Sequence, residues 1–97
     1  MKRSKRSQSR HNSQVRKDVE KLVDQGFKVK ADIQGYKQPG TIGGYRPDYV
    51  ATKGPKRIIG EVETGDSVDS ARDQKQQKAF QQAAKRSKNT SFRRKIT

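Results

Sequence analysis

Three carboxylates near the middle of this 97-residue chain have the spacing of a site for a divalent cation. Asp48 follows a proline at the start of one apolar stretch, and Glu61 and Glu63 lie two residues apart in the next. Residues two apart on a strand point to the same face, so these two glutamates are expected side by side. If the stretches pair as a hairpin, Asp48 comes next to Glu61, and like charges gathered in this way favour a bound cation. Carboxylates with open coordination positions are common ligands of Mg²⁺ beside a phosphate.

Few other side chains offer catalytic chemistry. The chain has no cysteine, which excludes a disulfide framework, thiolate metal sites and cysteine nucleophiles. Its one histidine, His11, lies in a basic, Ser-rich stretch, and we expect it to be inert or at most a phosphate contact. A zinc site or a serine–histidine relay is therefore not expected. The Gly-rich segment 34–44 lacks both the lysine of a phosphate-binding loop and the spacing of a dinucleotide motif.

The charge of the chain is large and unevenly distributed. Lys and Arg number 24 against 10 Asp and Glu, a formal net charge of +14, and all the acids lie between Asp18 and Asp73. Such a charge repels itself in a compact fold, which favours a polyanionic partner, and nucleic acid is the commonest. No apolar run is long enough to span a membrane, so no membrane partner is expected. The basic N-terminus is not followed by the apolar segment of a signal peptide, which predicts an intracellular, cytoplasmic or nucleoid-associated protein.

The spacing of apolar residues predicts an α/β fold in the order helix, three strands, helix, strand. We expect a flexible basic arm over 1–12 and a single domain over 13–97. The first helix is expected from Asn12 or Ser13 to Gly26. The predicted strands are 27–33, 45–52, 57–63 and 91–97, and the second helix is predicted over 68–87. A short mixed sheet of this kind needs helices to cover it.

Two short motifs on the predicted second and third strands carry a resemblance to a known superfamily. Arg46-Pro47-Asp48, a spacer of twelve residues and Glu61-Val62-Glu63 resemble the signature of the PD-(D/E)XK, or restriction-endonuclease-like, nucleases. The order of the predicted elements is similar to the minimal core of that superfamily, from about residue 13 onward. Most members have a lysine at the last signature position, so Glu63 makes this chain resemble an E-x-E variant.

The resemblance implies a metal site and a set of residues around it. Asp48 and Glu61 would bind Mg²⁺, with Mn²⁺ expected to substitute, and the carbonyl of Val62 would be a third ligand. Glu63 would act as a ligand or general base, or a lysine of the second helix, Lys78 or Lys75, would replace the signature lysine. The residues expected to contact nucleic acid are Arg46, Arg72, Lys75, Gln77 and, by stacking, Tyr36.

These observations predict a metal-dependent nuclease that hydrolyses phosphodiester bonds in DNA. Little chain is left for sequence recognition, so cleavage is expected to be structure-directed or nonspecific. Cutting two strands would call for a homodimer with two centres. Two alternatives stay open: a non-catalytic basic DNA- or RNA-binding module, which the composition alone favours, and a nuclease fold that has lost turnover. In the plainest interpretation, Glu61 and Glu63 are only the solvated face of an edge strand.

Overall fold

The structure, a computed structural model, describes residues 5–65 and 70–97, which form two helices and a four-stranded sheet. The elements in chain order are α1 (Lys5–Asp24), β1 (Lys28–Ala31), β2 (Tyr49–Lys53), β3 (Lys56–Glu63), α2 (Ala71–Arg86) and β4 (Thr90–Ile96). This order and the mixed sheet flanked by helices confirm the predicted α/β layout. The described part of the chain contains no helix with the length and apolar character needed to cross a membrane.

The sheet has its strands in the order β1-β2-β3-β4. The first three are antiparallel neighbours, while β3 and β4 run parallel because α2 carries the chain back between them. The β2–β3 hairpin turns at Gly54, whose φ of 57° is in the left-handed region. Tyr49 pairs with Gly60 across this hairpin, so Asp48 comes next to Glu61, as predicted.

Helix α1 begins earlier than predicted. Val15, Val19 and Leu22 pack on the sheet, and the same buried face continues toward the N-terminus through His11 and Ser7. Residues 5–12 are therefore helical and do not form a flexible arm, while the first four residues of the predicted arm lie outside the described residues. The prediction failed there because Ser7 and His11 are polar and add nothing to the apolar periodicity that marks the rest of the helix.

The predicted second strand is wrong at its beginning, because a tight turn precedes it. Ile42 and Tyr45 exchange backbone hydrogen bonds of 2.7 and 3.1 Å, and the two glycines between them have φ angles of 61° and 86°. A Cβ atom on Gly43 would lie 2.9 Å from the Cβ of Ala79, so this turn packs closely on α2. Tyr45 therefore belongs to the turn, and β2 starts only at Tyr49.

The two faces of the sheet are covered by different helices. The main core cluster joins α1 to the face that carries Tyr49, Ile58 and Val62. On the other face, the ring of Phe80 from α2 lies 5.7 Å from that of Phe92, which pairs with Ile59.

Ser70 caps α2 by accepting a hydrogen bond from the Asp73 amide. The predicted start of this helix at 68 lies outside the described residues.

Gly60, in the middle of β3, provides the space for the ring of Tyr49. A Cβ atom at this glycine would come within 2.0 to 2.3 Å of three ring carbons. Burial, followed by the charge of Asp18, raises the pKa of the Tyr49 phenol to about 12, so this phenol stays protonated across the physiological range.

We expect Gly60→Ala to lower the free energy of unfolding by about 1–3 kcal/mol, because the Tyr49 ring has to leave its place over β3. Gly40→Ala is the matched control, since nothing lies within 4 Å of a Cβ atom there. Urea unfolding should show a change of less than about 0.5 kcal/mol for the control. Equal stabilities for the two variants would contradict this packing.

Candidate active site

Asp48 and Glu61 are held together by a pair of reciprocal hydrogen bonds between β2 and β3. The Asp48 amide donates to Oε1 of Glu61 at 3.1 Å, and the Val62 amide donates to Oδ2 of Asp48 at 2.7 Å. Each carboxylate thus accepts from the backbone of the opposite strand, and the other oxygen of each is left for further contacts. The hairpin therefore brings together the two acids that the sequence pattern paired.

Glu61 and Glu63 lie inside the molecule. They are 6% and 3% exposed, and β3 is flanked by β2 on one side and β4 on the other. The interpretation of these glutamates as a solvated face of an edge strand is therefore wrong. Ionised carboxylates at this depth are costly unless a cation or several hydrogen-bond donors compensate their charge.

The protonation of Glu61 reflects this crowding of acids. Burial is the largest cause that raises its pKa, to about 10, and the charge of Asp48 and a hydrogen bond with Glu63 act in the same direction. The bond from the Asp48 amide opposes them, but with a smaller effect. Without a bound cation, Glu61 is thus protonated at neutral pH and shares its proton with a neighbouring acid.

His11 belongs to this site, which the sequence analysis missed. Its Nε2 atom lies 3.0 Å from Oδ1 of Asp48, and only 4% of the residue is exposed. Its Nδ1 atom lies 3.1 Å from Oδ1 of Asn12, an oxygen that also accepts a hydrogen bond from Gln8. The imidazole therefore lies in a helix, and it contacts Asp48 from the first half of α1.

A second missed pair, Arg94 and Asp73, lies on the other side of Glu61. Arg94 of β4 pairs with Glu61 in the parallel register. Its Nη2 atom donates to Oδ2 of Asp73 at 2.7 Å, and Gln77 donates to the same oxygen at 3.2 Å. Asp73 is only 3% exposed, so the guanidinium is held by a buried acid at the start of α2. An arginine is therefore the cation nearest to Glu61 in the strand register.

The other predicted residues are placed in three different ways. Arg72, Lys75 and Lys78 are exposed on α2, and no ion pair joins Lys78 to the three acids among residues 5–65 and 70–97. Gln77 is turned toward Asp73, and Nε of Arg46 donates to the carbonyl of Pro39 at 2.9 Å. Tyr36 is half-buried against the core and lines a cleft beside β1.

The donor atoms of the described residues leave the predicted metal site open. Within the described ranges, no three His, Cys, Asp or Glu side chains converge as ligands of one ion. One oxygen each of Asp48 and Glu61 accepts a hydrogen bond from a backbone amide, and Glu61 is also hydrogen-bonded to Glu63. The Val62 amide contacts Asp48, and the role predicted for the Val62 carbonyl stays a prediction.

Comparison of this chain with protein-family models, with curated proteins and with solved structures gave no match. The resemblance to the PD-(D/E)XK signature therefore depends on the two motifs and on the order of the elements alone.

The raised pKa of Glu61 predicts a pH dependence of stability in the absence of metal. The folded state retains a proton that the unfolded state loses above its ordinary pKa of about 4.5, so the stability contributed by this group falls as the pH rises toward about 10. The side chain of glutamine does not ionise, so Glu61→Gln removes this titration. We expect it to raise the free energy of unfolding at pH 8 by about 1–3 kcal/mol and to reduce the loss between pH 5 and pH 8.

Urea unfolding at the two pH values, in chelator, measures this effect. Glu20→Gln removes an exposed carboxylate from α1 and should keep the pH dependence of the unmodified protein. If Glu61→Gln also keeps it, the proton on Glu61 is not the source of the change.

The Asp73–Arg94 pair predicts a strong energetic coupling. Arg94→Gln leaves the buried Asp73 carboxylate without its cation and should destabilise the protein by about 2–4 kcal/mol. Asp73→Asn in the same chain removes the uncompensated charge and should recover at least half of that loss. A double-mutant cycle from denaturant unfolding measures the coupling, and strictly additive single effects would contradict the contact.

Proposed function

We propose that this protein is a metal-dependent nuclease that hydrolyses phosphodiester bonds in DNA, with Mg²⁺ as its cofactor and Mn²⁺ able to replace it. The observation that carries the proposal is the contact of Asp48 with the buried Glu61, next to the buried Glu63, at one end of the β2–β3 hairpin, in a chain with a formal charge of +14. Acids buried in a basic protein oppose phosphate binding unless a cation compensates them.

The chemistry of the donor atoms suits a hard divalent ion. Asp48 and Glu61 would hold it through carboxylate oxygens, which Mg²⁺ prefers, and Glu61 would lose its proton on binding. The bound ion would polarise a phosphodiester and lower the pKa of a water molecule. Loss of the Glu61 proton would also remove its hydrogen bond with Glu63, which would leave Glu61 as a ligand and Glu63 as a second carboxylate.

Glu63 is the candidate general base. It lies two residues from Glu61, it is buried, and a carboxylate released from its hydrogen bond can accept a proton from an attacking water. His11 orients Asp48 through its contact with Oδ1 and can carry a proton at the same place. Arg94, which is paired with Asp73, would provide a fixed positive charge beside the acids. It would replace the lysine that most members of the superfamily have at the last signature position.

The substrate and the assembly follow from the size of the site. Each chain offers one set of carboxylates, so cutting both strands of a duplex would need two copies arranged about a two-fold axis. The exposed cations of α2, with Arg72, Lys75 and Lys78, provide contacts to the phosphate backbone, which carry no sequence information. Cleavage is therefore expected to be structure-directed or nonspecific, in an intracellular protein.

A non-catalytic nucleic-acid-binding module is the second candidate, and one observation favours it. No three donor side chains converge as metal ligands among the described residues. In that case Glu61 would keep its proton and its hydrogen bond with Glu63, and DNA or RNA binding would depend on salt but not on Mg²⁺.

We expect Mg²⁺ or Mn²⁺ to support cutting of supercoiled plasmid or of a four-way junction, and chelator to abolish it. Asp48→Asn and Glu61→Gln should reduce the rate by about 100-fold or more, because each removes a charged ligand. Asp24→Asn, at an exposed carboxylate in the last turn of α1, is the matched control and should cut normally. Gel assays of nicked and linear product measure the rates.

A second measurement separates metal binding from folding. Mn²⁺ should raise the thermal unfolding midpoint of the unmodified protein and of Asp24→Asn, but not that of Glu61→Gln. Because Glu61→Gln is expected to be more stable than the unmodified protein in chelator, loss of cutting in this variant cannot come from unfolding. If the protein binds DNA but does not cut it with either metal, and both site variants bind equally well, the nuclease proposal is rejected. The protein is then a nucleic-acid-binding module.

A further inference from the structure

A cleft of about 610 Å³ lies beside the candidate active site, at β1 and β2. Lys28 and Lys30 pair with Thr52 and Val50 in the β1–β2 register, and all four residues line the cleft. Strand alternation places them on the sheet face opposite the α1 core. The segment from Gly35 to Ile42 forms the wall, and the volume is within the range of small-molecule and nucleotide sites.

The wall of the cleft is fixed in place by several contacts. The amide of Ala31 donates to the carbonyl of Lys37 at 2.9 Å, which adds the segment to the edge of β1. Arg46 binds the carbonyl of Pro39, and the turn at Gly43 packs on Ala79 of α2. The cleft is thus part of the folded structure, because both ends of its wall are tied to the sheet and to α2.

The side chains that line the cleft have two kinds of chemistry. Four are cationic and none is acidic: Lys28, Lys30, Lys37 and Arg57. Between them lie Val50, Ile42 and Tyr36, each of which is half-buried. Cations around an apolar and aromatic floor suit a ligand that carries both phosphates and a flat ring, which is the chemistry of a nucleotide.

We propose that this cleft binds an unpaired nucleotide of a DNA strand, with its base against Tyr36 and Val50 and its flanking phosphates at Lys28 and Lys30. The proposal deepens the proposed nuclease function, since it names the substrate as DNA with an unpaired segment next to the cut. A base within a duplex is stacked on both sides and cannot present its face to such a floor.

The position of the cleft relative to the acids supports this assignment. Val50 on the floor is only two residues beyond Asp48 along the chain, a distance of about 7 Å on an extended strand. A strand with one base in the cleft can therefore extend toward the end of β2 at which Asp48 lies. Substrates with flaps, gaps or open junctions meet this requirement, while a continuous duplex has to be opened first.

Binding of labelled single-stranded DNA in chelator tests the cleft without any cutting. We expect Lys28→Gln combined with Lys30→Gln to weaken binding by about tenfold and to reduce the slope of log K against log salt by about 1.4, the value for two lost phosphate contacts. Lys5→Gln with Lys17→Gln removes the same charge from exposed positions of α1 and should change the slope by less than half as much. Binding of a blunt duplex of the same length should be equally affected by both pairs.

The aromatic contact has its own test. Tyr36→Leu should weaken single-strand binding by about tenfold, whereas Tyr36→Phe keeps the ring and should bind like the unmodified protein. Free deoxynucleoside monophosphate should compete only weakly, because it lacks the second phosphate. The proposal is overturned if the β1 lysine pair behaves like the α1 pair, or if a free mononucleotide competes as well as the strand.

These outcomes are distinguishable from a failure of the nuclease function, because they are measured without metal. If Asp48→Asn abolishes cutting but the substitutions at Lys28 and Lys30 do not change strand binding, the nuclease function is supported and the nucleotide-binding role of the cleft is rejected. If the strand binds through the cleft but is not cut with Mg²⁺ or Mn²⁺, the role of the cleft is supported and the nuclease function is rejected.

Discussion

The closure of the β2–β3 hairpin by side chains is the interaction on which the rest of this structure depends. Beyond the last backbone pair, Asp48 and Glu61 continue the ladder with their carboxylates, each accepting from an amide of the opposite strand. This arrangement fixes Asp48 at the end of the sheet, where His11 can reach it from α1. Two elements that are far apart in the sequence therefore meet at one carboxylate, and the helix is positioned by a polar contact as well as by its apolar face.

The distribution of charge explains why the interior differs so strongly from the surface. Among residues 5–65 and 70–97, nearly all of the cations are exposed, while four acids, Asp48, Glu61, Glu63 and Asp73, are shielded from solvent to different extents. Asp73 is paired with a nearby arginine, Arg94. The burial of the remaining acids is compensated by hydrogen bonds with amides and with one another and by the contact with His11. Such burial costs folding free energy, which is a large effect in a small domain. A fold selected for stability alone would replace them with apolar side chains.

The sequence was sufficient for those features that depend on local patterns. The order of the elements, the β2–β3 hairpin and the proximity of Asp48 to Glu61 follow from alternation, glycines and a short turn, and the structure agrees. Features that depend on distant partners were not predictable in this way. His11 contacts Asp48, which is 37 residues away in the sequence, and Arg94 and Asp73 meet because β4 returns parallel to β3. Tyr45 was assigned to a strand because its apolar ring fits the alternation, whereas the two preceding glycines form a turn.

The parallel pairing of β3 with β4 also determines when the site can exist during folding. The β2–β3 hairpin is local and can form early, but Arg94 reaches Glu61 only after α2 has crossed over, and His11 reaches Asp48 only after α1 has docked. Both events close long loops, which is slow because the entropy of closure is lost before the contacts form. Partly folded chains therefore hold the acids without their basic neighbours, and the complete set of side chains comes together only in the native state.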